Sequence, residues 1–300
     1  MTLLSIRTLA AVALASSAVS LPLSANEQPT ISVVQYNIYN GKNIDLITQV
    51  LHEQEADLIG LNEVNYKNKR SKGSDQAKHL AEQLTELSGE EWRYEWAHAI
   101  PFQGGCYGNA ILYNATRLKL HGYQPLTMDD SEGDGMRSSG LGIFELKDEE
   151  IYFQWGTLHL TNRNTRLSEE PMMTRQLQQS KAIWGAMEPG LPMLIGGDFN
   201  SHVDGPHNPE TMAYWMDKGF AVNTPLIPDP AGRSHVIDFN LMKAQGWESI
   251  EEQIIWDETA AVASDHAPIL TRYRVNARNP EGASIAHDSA ASFSPSICPM

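Results

Sequence analysis

Cysteine, positive charge and long apolar runs are all scarce in this chain, and each scarcity removes a class of protein. Only two cysteines, Cys106 and Cys298, occur in 300 residues. The fold is therefore not a disulfide scaffold, and no Cys/His cluster has the spacing of a structural zinc site. An oxidising compartment would permit the two cysteines to bridge, but the sequence leaves their pairing open. Lysine and arginine total 22 against 37 aspartate and glutamate, a formal net charge of -15. Such a field repels polyanions, so nonspecific adhesion to duplex nucleic acid is disfavoured unless cations are focused locally or a metal inverts the sign. No segment after the first 25 residues is long and apolar enough to span a bilayer, which excludes stable membrane insertion by the rest of the chain.

The first 25 residues have their own character. A lone cation, Arg7, precedes the apolar stretch from Leu9 to Val19, and small residues follow around Ser20 and Ala25. That pattern reads as a signal peptide over residues 1–25 and predicts a secreted or periplasmic protein. As a helix the apolar run would span roughly 16 Å, about half of a hydrocarbon core, so an uncleaved anchor is the weaker alternative. At the other end, residues 276–300 turn to Ser, Ala, Pro and Asn without periodicity and are expected to be disordered.

What is abundant is alternation. From residue 31 short aliphatic or β-branched runs trade places with amphipathic stretches of helical length. "ISVVQYNI", "DLIGLNEV", "NAILYN", "SGLGIFELK", "IYFQWGTLHL", "LPMLIGGDF", "HVIDFNLM" and "APILTRYRV" read as strands. "NIDLITQVLHEQEA", "DQAKHLAEQLTELSG" and "MMTRQLQQSKAIWGAM" read as helices. Mixed elements over this length predict a layered α/β domain rather than a bundle or an all-β sandwich. Trp155 and Trp184 are expected in its core, and "MDDSEGDG", residues 128–135, in an acidic loop.

Polar residues recur where these apolar strands end. Asn37, Glu63, His159, Asp198 and Asn200 close strands, Asn162 lies just beyond one, and Asp265 and His266 precede the last. A single Asp or Asn in such a place is usually a turn or cap, but repetition marks a site, since strand ends are where layered α/β folds carry function. If Glu63, Asp198 and Asp265 converge, each pair 4 Å apart repels by about 4 kcal/mol at an effective dielectric near 20. A cation between them resolves the conflict. Oxygen ligands from Asp, Glu and Asn suit Mg²⁺, with Mn²⁺ able to substitute, and such an ion commonly completes its shell with phosphate oxygen. The substrate is then a phosphate ester.

The strings "QYNIYNG", "GLNEV", "CYGNAILYN", "GTLHLTN", "IGGDFNSH", "VIDFNLM" and "ASDHAPI" resemble, in order and rough spacing, those of the endonuclease/exonuclease/phosphatase superfamily. The likeness covers about residues 31–275. It implies a single domain over residues 26–275 built as a four-layer αββα sandwich, two central mixed β-sheets flanked by helices, with the site at one rim. It further implies that Glu63 ligates the metal with Asn37 beside it, and that Asp265 supports an ion. Asp198 would activate the attacking water and Asn200 orient it. His266 would contact the scissile phosphate, held by Asp238, with His159 as a second histidine. Arg137 and Asn162 would bind phosphate.

The family's arginine and tyrosine around its "RIDY" strand are Val236 and Phe239 here, which puts substrate contacts on that side in question. The implied activity is that of a monomeric Mg²⁺-dependent phosphodiesterase, with nucleic acid the favoured substrate. Phospholipid headgroups such as sphingomyelin and small phosphorylated metabolites are the rivals. A non-catalytic binding or toxin-subunit module is the alternative of another class. The one basic patch, "NYKNKRSKG" at residues 65–73, follows directly on Glu63.

Overall fold

A computed structural model describes residues 28–128, 137–162, 169–227 and 236–276. The expected signal peptide, nearly all of the acidic loop, the tail and Cys298 lie outside the described residues. In chain order the elements are β1 (Thr30–Asn37), α1 (Ile44–Glu53), β2 (Leu58–Tyr66), α2 (Gln76–Ser88), β3 (Trp92–Phe102) and β4 (Gly105–Asn114). They continue with β5 (Leu118–Met128), β6 (Arg137–Leu146), β7 (Ile151–His159), α3 (Glu169–Ala186), β8 (Met193–Asp198) and α4 (Pro209–Asp217). The last are β9 (Ala221–Val222), β10 (Asp238–Lys243), β11 (Trp247–Ile254), α5 (Glu258–Ala263) and β12 (Ile269–Val275).

Two six-stranded sheets form, ordered β11-β12-β1-β2-β4-β3 and β5-β6-β7-β8-β10-β9. Both are mixed: β1 runs parallel to β2 and β7 parallel to β8, whereas the other pairs are antiparallel. Strand alternation decides which side chains go where. Val33 of β1 points between the sheets, where it meets Leu58, Ile111, Phe144, Phe153, Trp155 and Leu194. Its neighbours Val34 and Tyr36 point outward to a second cluster with Ile47, Leu51, Leu80, Leu84 and Ala260 of α1, α2 and α5. A third cluster sets Leu158, Ile195, Phe239 and Leu241 of the other sheet against Ile183, Met212 and Trp215 of α3 and α4. These three apolar interfaces define four layers, helix on sheet on sheet on helix, as the family resemblance implies. Each fully buried large side chain contributes about 1.5–3 kcal/mol relative to exposure.

α2 starts and stops where the sequence provides caps. Asp75 accepts a hydrogen bond from Lys78 N (3.1 Å) at the head of α2, and Gly89 closes its tail at φ 73°. Cys106 is buried in β4 and is not a free thiol. No described helix is long and apolar enough to cross a membrane.

Toward one rim the space between the sheets changes character, from aromatic and aliphatic to a hydrogen-bonded polar layer. Gln35 Nε2 donates to Asn62 Oδ1 (2.7 Å), Asn62 Nδ2 donates to Asn109 Oδ1 (3.1 Å) and Leu158 O (3.0 Å), and Thr157 Oγ1 donates to Gln35 Oε1 (3.0 Å). Buried amides are tolerable only when satisfied in this way. They form the floor on which the strand-end residues sit.

Candidate active site

Sheet register alone brings three of the expected residues side by side. His159 of β7 lies opposite Asp198 of β8, and Asp198 lies opposite Asp238 of β10. Gly197 makes the close packing possible, because a Cβ there would meet Leu158 O at 2.1 Å. That is one reason the apolar run of β8 must end in small residues before its acid.

Asn37, the last residue of β1, reaches across from the other sheet. Its Nδ2 donates to Asp198 Oδ2 (3.1 Å), while its Oδ1 accepts from Tyr39 N (3.1 Å). Asn200, held in the left-handed region at φ 48°, donates its N–H to Asp198 Oδ1 (2.9 Å) and its Nδ2 to Leu160 O (3.0 Å). The segment carrying His266 is pinned by Ser264, whose hydroxyl donates to Asn37 O (2.7 Å) and accepts from His266 N (3.2 Å). His266 then donates from Nδ1 to Asp238 Oδ2 (2.6 Å) and presents Nε2 to Asp198 Oδ2 at 4.0 Å.

Glu63 enters by a different device. Leu61 and Val64 both face the outer cluster although they are three residues apart, so β2 must hold one extra residue between them. The register shift against β4 falls there, and Glu63 takes φ 63°. The bulge turns the carboxylate out of the ladder and into the recess, a usual role for bulges beside functional sites. There its ionised form is stabilised by His266, the Asn37 amide and Arg137, and opposed by Asp265.

The electrostatics sort these groups into roles. Burial and the neighbouring Asp238 carboxylate raise Asp198 to about 7, against His266, the Asn200 N–H and the Asn37 amide. Burial alone would depress His266, but Asp238, by charge and by hydrogen bond, together with Asp198 and Asp265 raises it to about 10. That imidazole is cationic at neutral pH. His159, 3.5 Å from Asp198 Oδ2, is pushed well below the usual histidine range by burial, then by Arg137 and His266, so it is neutral. Burial likewise raises Glu63, more than its partners lower it.

Arg137 opens β6 and is only 9% exposed. Its Nη1 donates to His159 Nε2 (3.1 Å) and its Nη2 to Asn162 Oδ1 (2.8 Å), while Nε has no protein partner. Both partners are neutral, so among the described residues this buried guanidinium has no ion-pairing carboxylate. A buried cation of that kind requires an anion, and a tetrahedral oxyanion fits its fork.

Two groupings could hold a metal. Asp198, Asp238 and His266 offer ligand atoms within 4.8 Å of one another. His266 is a poor ligand there, because it is cationic and its Nδ1 is committed to Asp238, whereas ligation needs the neutral ring. Glu63 with Asn37 and Asp265 is an all-oxygen set suited to a hard divalent ion. Among the described residues no lysine or arginine lies within ion-pair distance of the half-buried Glu63, so its carboxylate has room for a cation. Asn37 Oδ1 already accepts from Tyr39 N and keeps one lone pair for that purpose.

The structure thus brings Asn37, Glu63, His159, Asp198, Asn200, Asp238 and His266 together, with Arg137 and Asn162 on one flank and the exposed Asp265 on the rim. Sequence reasoning passed over Asn62. This fully buried amide accepts from Asp198 N (3.0 Å) and so holds the main chain of the catalytic candidate. The available signal was an amide in the middle of the apolar run "LIGLNEV". Tyr107 was also missed; its ring packs beside Arg70, and it feels the charges of Glu63, Arg137 and Asp198.

The fold is shared with known proteins. The Endonuclease/Exonuclease/phosphatase family model matches residues 34–266. The chain is similar in structure to an endonuclease/exonuclease/phosphatase from Beutenbergia cavernae, with a TM-score of 0.66 at 17% identity over 83% of this chain and 72% of that one. It is similar to the human Nocturnin catalytic domain with bound sulfate anion, with a TM-score of 0.59 at 15% identity over 82% and 94% of the two chains. A third similar structure is the mannosyl-6-phosphatase of Bacteroides thetaiotaomicron, with a TM-score of 0.58 at 16% identity over 81% and 99%. No curated protein matches significantly in sequence. With the family pattern running through nearly the whole folded region, the chain belongs to the endonuclease/exonuclease/phosphatase family, whose members are hydrolases acting on phosphoester bonds.

Proposed function

We propose that this protein is a secreted or periplasmic, Mg²⁺-dependent phosphodiesterase, with nucleic acid as its favoured substrate. The observation that carries the reading is the pairing of opposites in one recess. Arg137 is a buried cation without a carboxylate, and Asp198 is a buried carboxylate raised to about 7. The first suits a phosphate's nonbridging oxygens. The second suits a general base that operates near neutral pH.

In this reading a phosphodiester seats its nonbridging oxygens against Arg137, Asn162 and the Nε2 proton of His266. Asn200, anchored through Nδ2 on Leu160 O, uses its remaining carboxamide oxygen to orient a water in line with the scissile bond. Asp198 takes the proton of that water, and His266, kept cationic by Asp238, meets the charge that develops on phosphorus-bound oxygen. His159 stays neutral and locks Arg137 in place. Glu63, Asn37 and Asp265 would hold the divalent ion, which when bound neutralises phosphate charge and the leaving oxygen.

The test is hydrolysis of plasmid DNA, RNA, sphingomyelin, inositol phosphates and bis-p-nitrophenyl phosphate in Mg²⁺ and in EDTA. EDTA-sensitive turnover is expected, with Asp198→Ala and His266→Ala each lowering kcat by about 10²–10⁴, the range of general acid–base contributions. A folded protein inactive on every member of the panel refutes the enzyme reading and leaves a binding module. Turnover confined to phosphomonoesters would assign the protein to the phosphatases, the activity named for the Bacteroides thetaiotaomicron relative.

A further inference from the structure

Beside the recess opens a cavity of ≈ 580 Å³, lined among others by Tyr39, Lys42, Arg70, Lys72, Gln76 and His79. In a chain of net charge -15 this concentration of cations is exceptional, with Asp45 the one carboxylate on its wall. The cavity joins the site directly. Tyr39, on its lining, donates its N–H to Asn37 Oδ1, and Asn37 holds Asp198 (3.1 Å in both bonds). Arg70, also on its lining, feels the charge of Glu63.

Its walls are fixed in advance of any ligand. Tyr39, Asn40 and Gly41 all take positive φ (45°, 63° and 63°), a strained run for two residues that are not glycine. Gln76 holds it in place, donating from Nε2 to Asn40 O (3.0 Å) while its Oε1 accepts from Asn65 N (2.7 Å). Gly41 is required there, since a Cβ would lie 2.2 Å from Gln76 Nε2. Arg70 is stacked with Phe102 (4.4 Å) and Tyr107 (5.0 Å), and among the described residues only its Nε is tied, to Asn65 Oδ1 (3.0 Å). Its terminal nitrogens remain for a ligand. The N-terminus of α1 also reaches this wall through Ile44 and Asp45, and its N-cap Asn43 makes no capping bond, donating instead to Val262 O (2.6 Å). Unsatisfied N–H groups at a helix start favour an anion.

We propose that this cavity binds a second phosphate of the substrate, on the Tyr39 side of the phosphate that is hydrolysed, and that the substrate is a single nucleic-acid strand. The inference rests on the phosphodiesterase reading and narrows its substrate. Tyr39, 40% exposed at the mouth, supplies the aromatic face on which a base stacks, as single-strand binders commonly do. Focused cations here overcome locally the repulsion that the acidic chain exerts on polyanions elsewhere.

The test compares a dinucleoside monophosphate, the same compound carrying a further phosphate at either end, bis-p-nitrophenyl phosphate and an inositol bisphosphate. For the wild type, one of the two terminally phosphorylated dinucleotides is expected to exceed the dinucleoside monophosphate at least tenfold in kcat/KM. Lys42→Glu with Lys72→Glu, both exposed positions, should erase that advantage without moving the urea unfolding midpoint. A second reading in EDTA is independent of turnover. Anisotropy of a labelled oligothymidylate should show the slope of log Kd against log salt falling by about 0.7 in the double variant, the share of the one phosphate contact removed. An advantage absent from the wild type, or kept by the variant with an unchanged salt slope, overturns the second-phosphate site. An equal advantage for the inositol bisphosphate overturns the strand. Failure of every substrate with normal oligonucleotide binding would sink the phosphodiesterase reading and spare the cavity.

Discussion

Replacing Asn62 by leucine tests whether the active site depends on the polar layer beneath it. The side chain is fully buried and its Oδ1 accepts from both Gln35 Nε2 (2.7 Å) and Asp198 N (3.0 Å). Leucine has nearly the same size and no acceptor, so packing survives while two buried donors lose their partner. At about 1–3 kcal/mol for each stranded donor, the loss should be about 2–6 kcal/mol, a large part of the roughly 5–15 kcal/mol typical of a domain. Asn109 Oδ1 and Leu158 O also lose a donor, which places the expected value in the upper half of that range. Urea unfolding of the wild type and Asn62→Leu measures it. Asp198 should also shift once its main chain is released, and a displacement of about 1 Å is worth roughly 10²-fold in rate. The kcat for bis-p-nitrophenyl phosphate should therefore fall while KM changes little. A variant within 1 kcal/mol of wild type and with unaltered kcat would show that strand pairing alone positions Asp198.

Two further outcomes follow from the charges. Asp238→Asn removes the strongest of the groups that hold His266 at about 10 and leaves burial opposed only by Asp198 and Asp265, so the alkaline limb of kcat/KM should move downward from near 10. An unmoved limb would take His266 out of the reaction. At the opposite end of the sandwich, Arg117 donates to the buried Asp57, which also accepts from Ser32 N (2.8 Å). Because Arg117 is itself 40% exposed, Arg117→Ala should lose about 2–4 kcal/mol, below the roughly 3–5 kcal/mol of breaking a fully buried pair. Burial already raises Asp57, and losing its cation raises it further. A carboxyl whose folded pKa lies above its unfolded value loses stability as pH rises through the folded value, so the variant's deficit should shrink on acidification. Equal deficits in urea at pH 7 and near pH 4.5 would contradict this.

The sequence by itself determined the central strands, the three longest helices and the identity of the chemical groups. The interior strands β1, β2, β4, β6, β7, β8, β10 and β12 are rich in apolar residues because most of their side chains are covered, and such stretches are legible without a partner. The strands it did not reveal are the four at the sheet edges, β3, β5, β9 and β11. β11, "WESIEEQI", is glutamate-rich and mostly exposed, and β5 contains Pro125. Edge strands carry charge and proline because one side meets water, which erases the pattern that marks a strand. The short helices α4 and α5 were silent for a related reason, since they offer too few turns for a 3.6-residue period to show. Only tertiary structure decided the bulge that turns Glu63 into the recess, the register that aligns His159, Asp198 and Asp238, and the protonation of His159 and His266. Those depend on crossing strands and on burial, and neither is a property of any local stretch of chain.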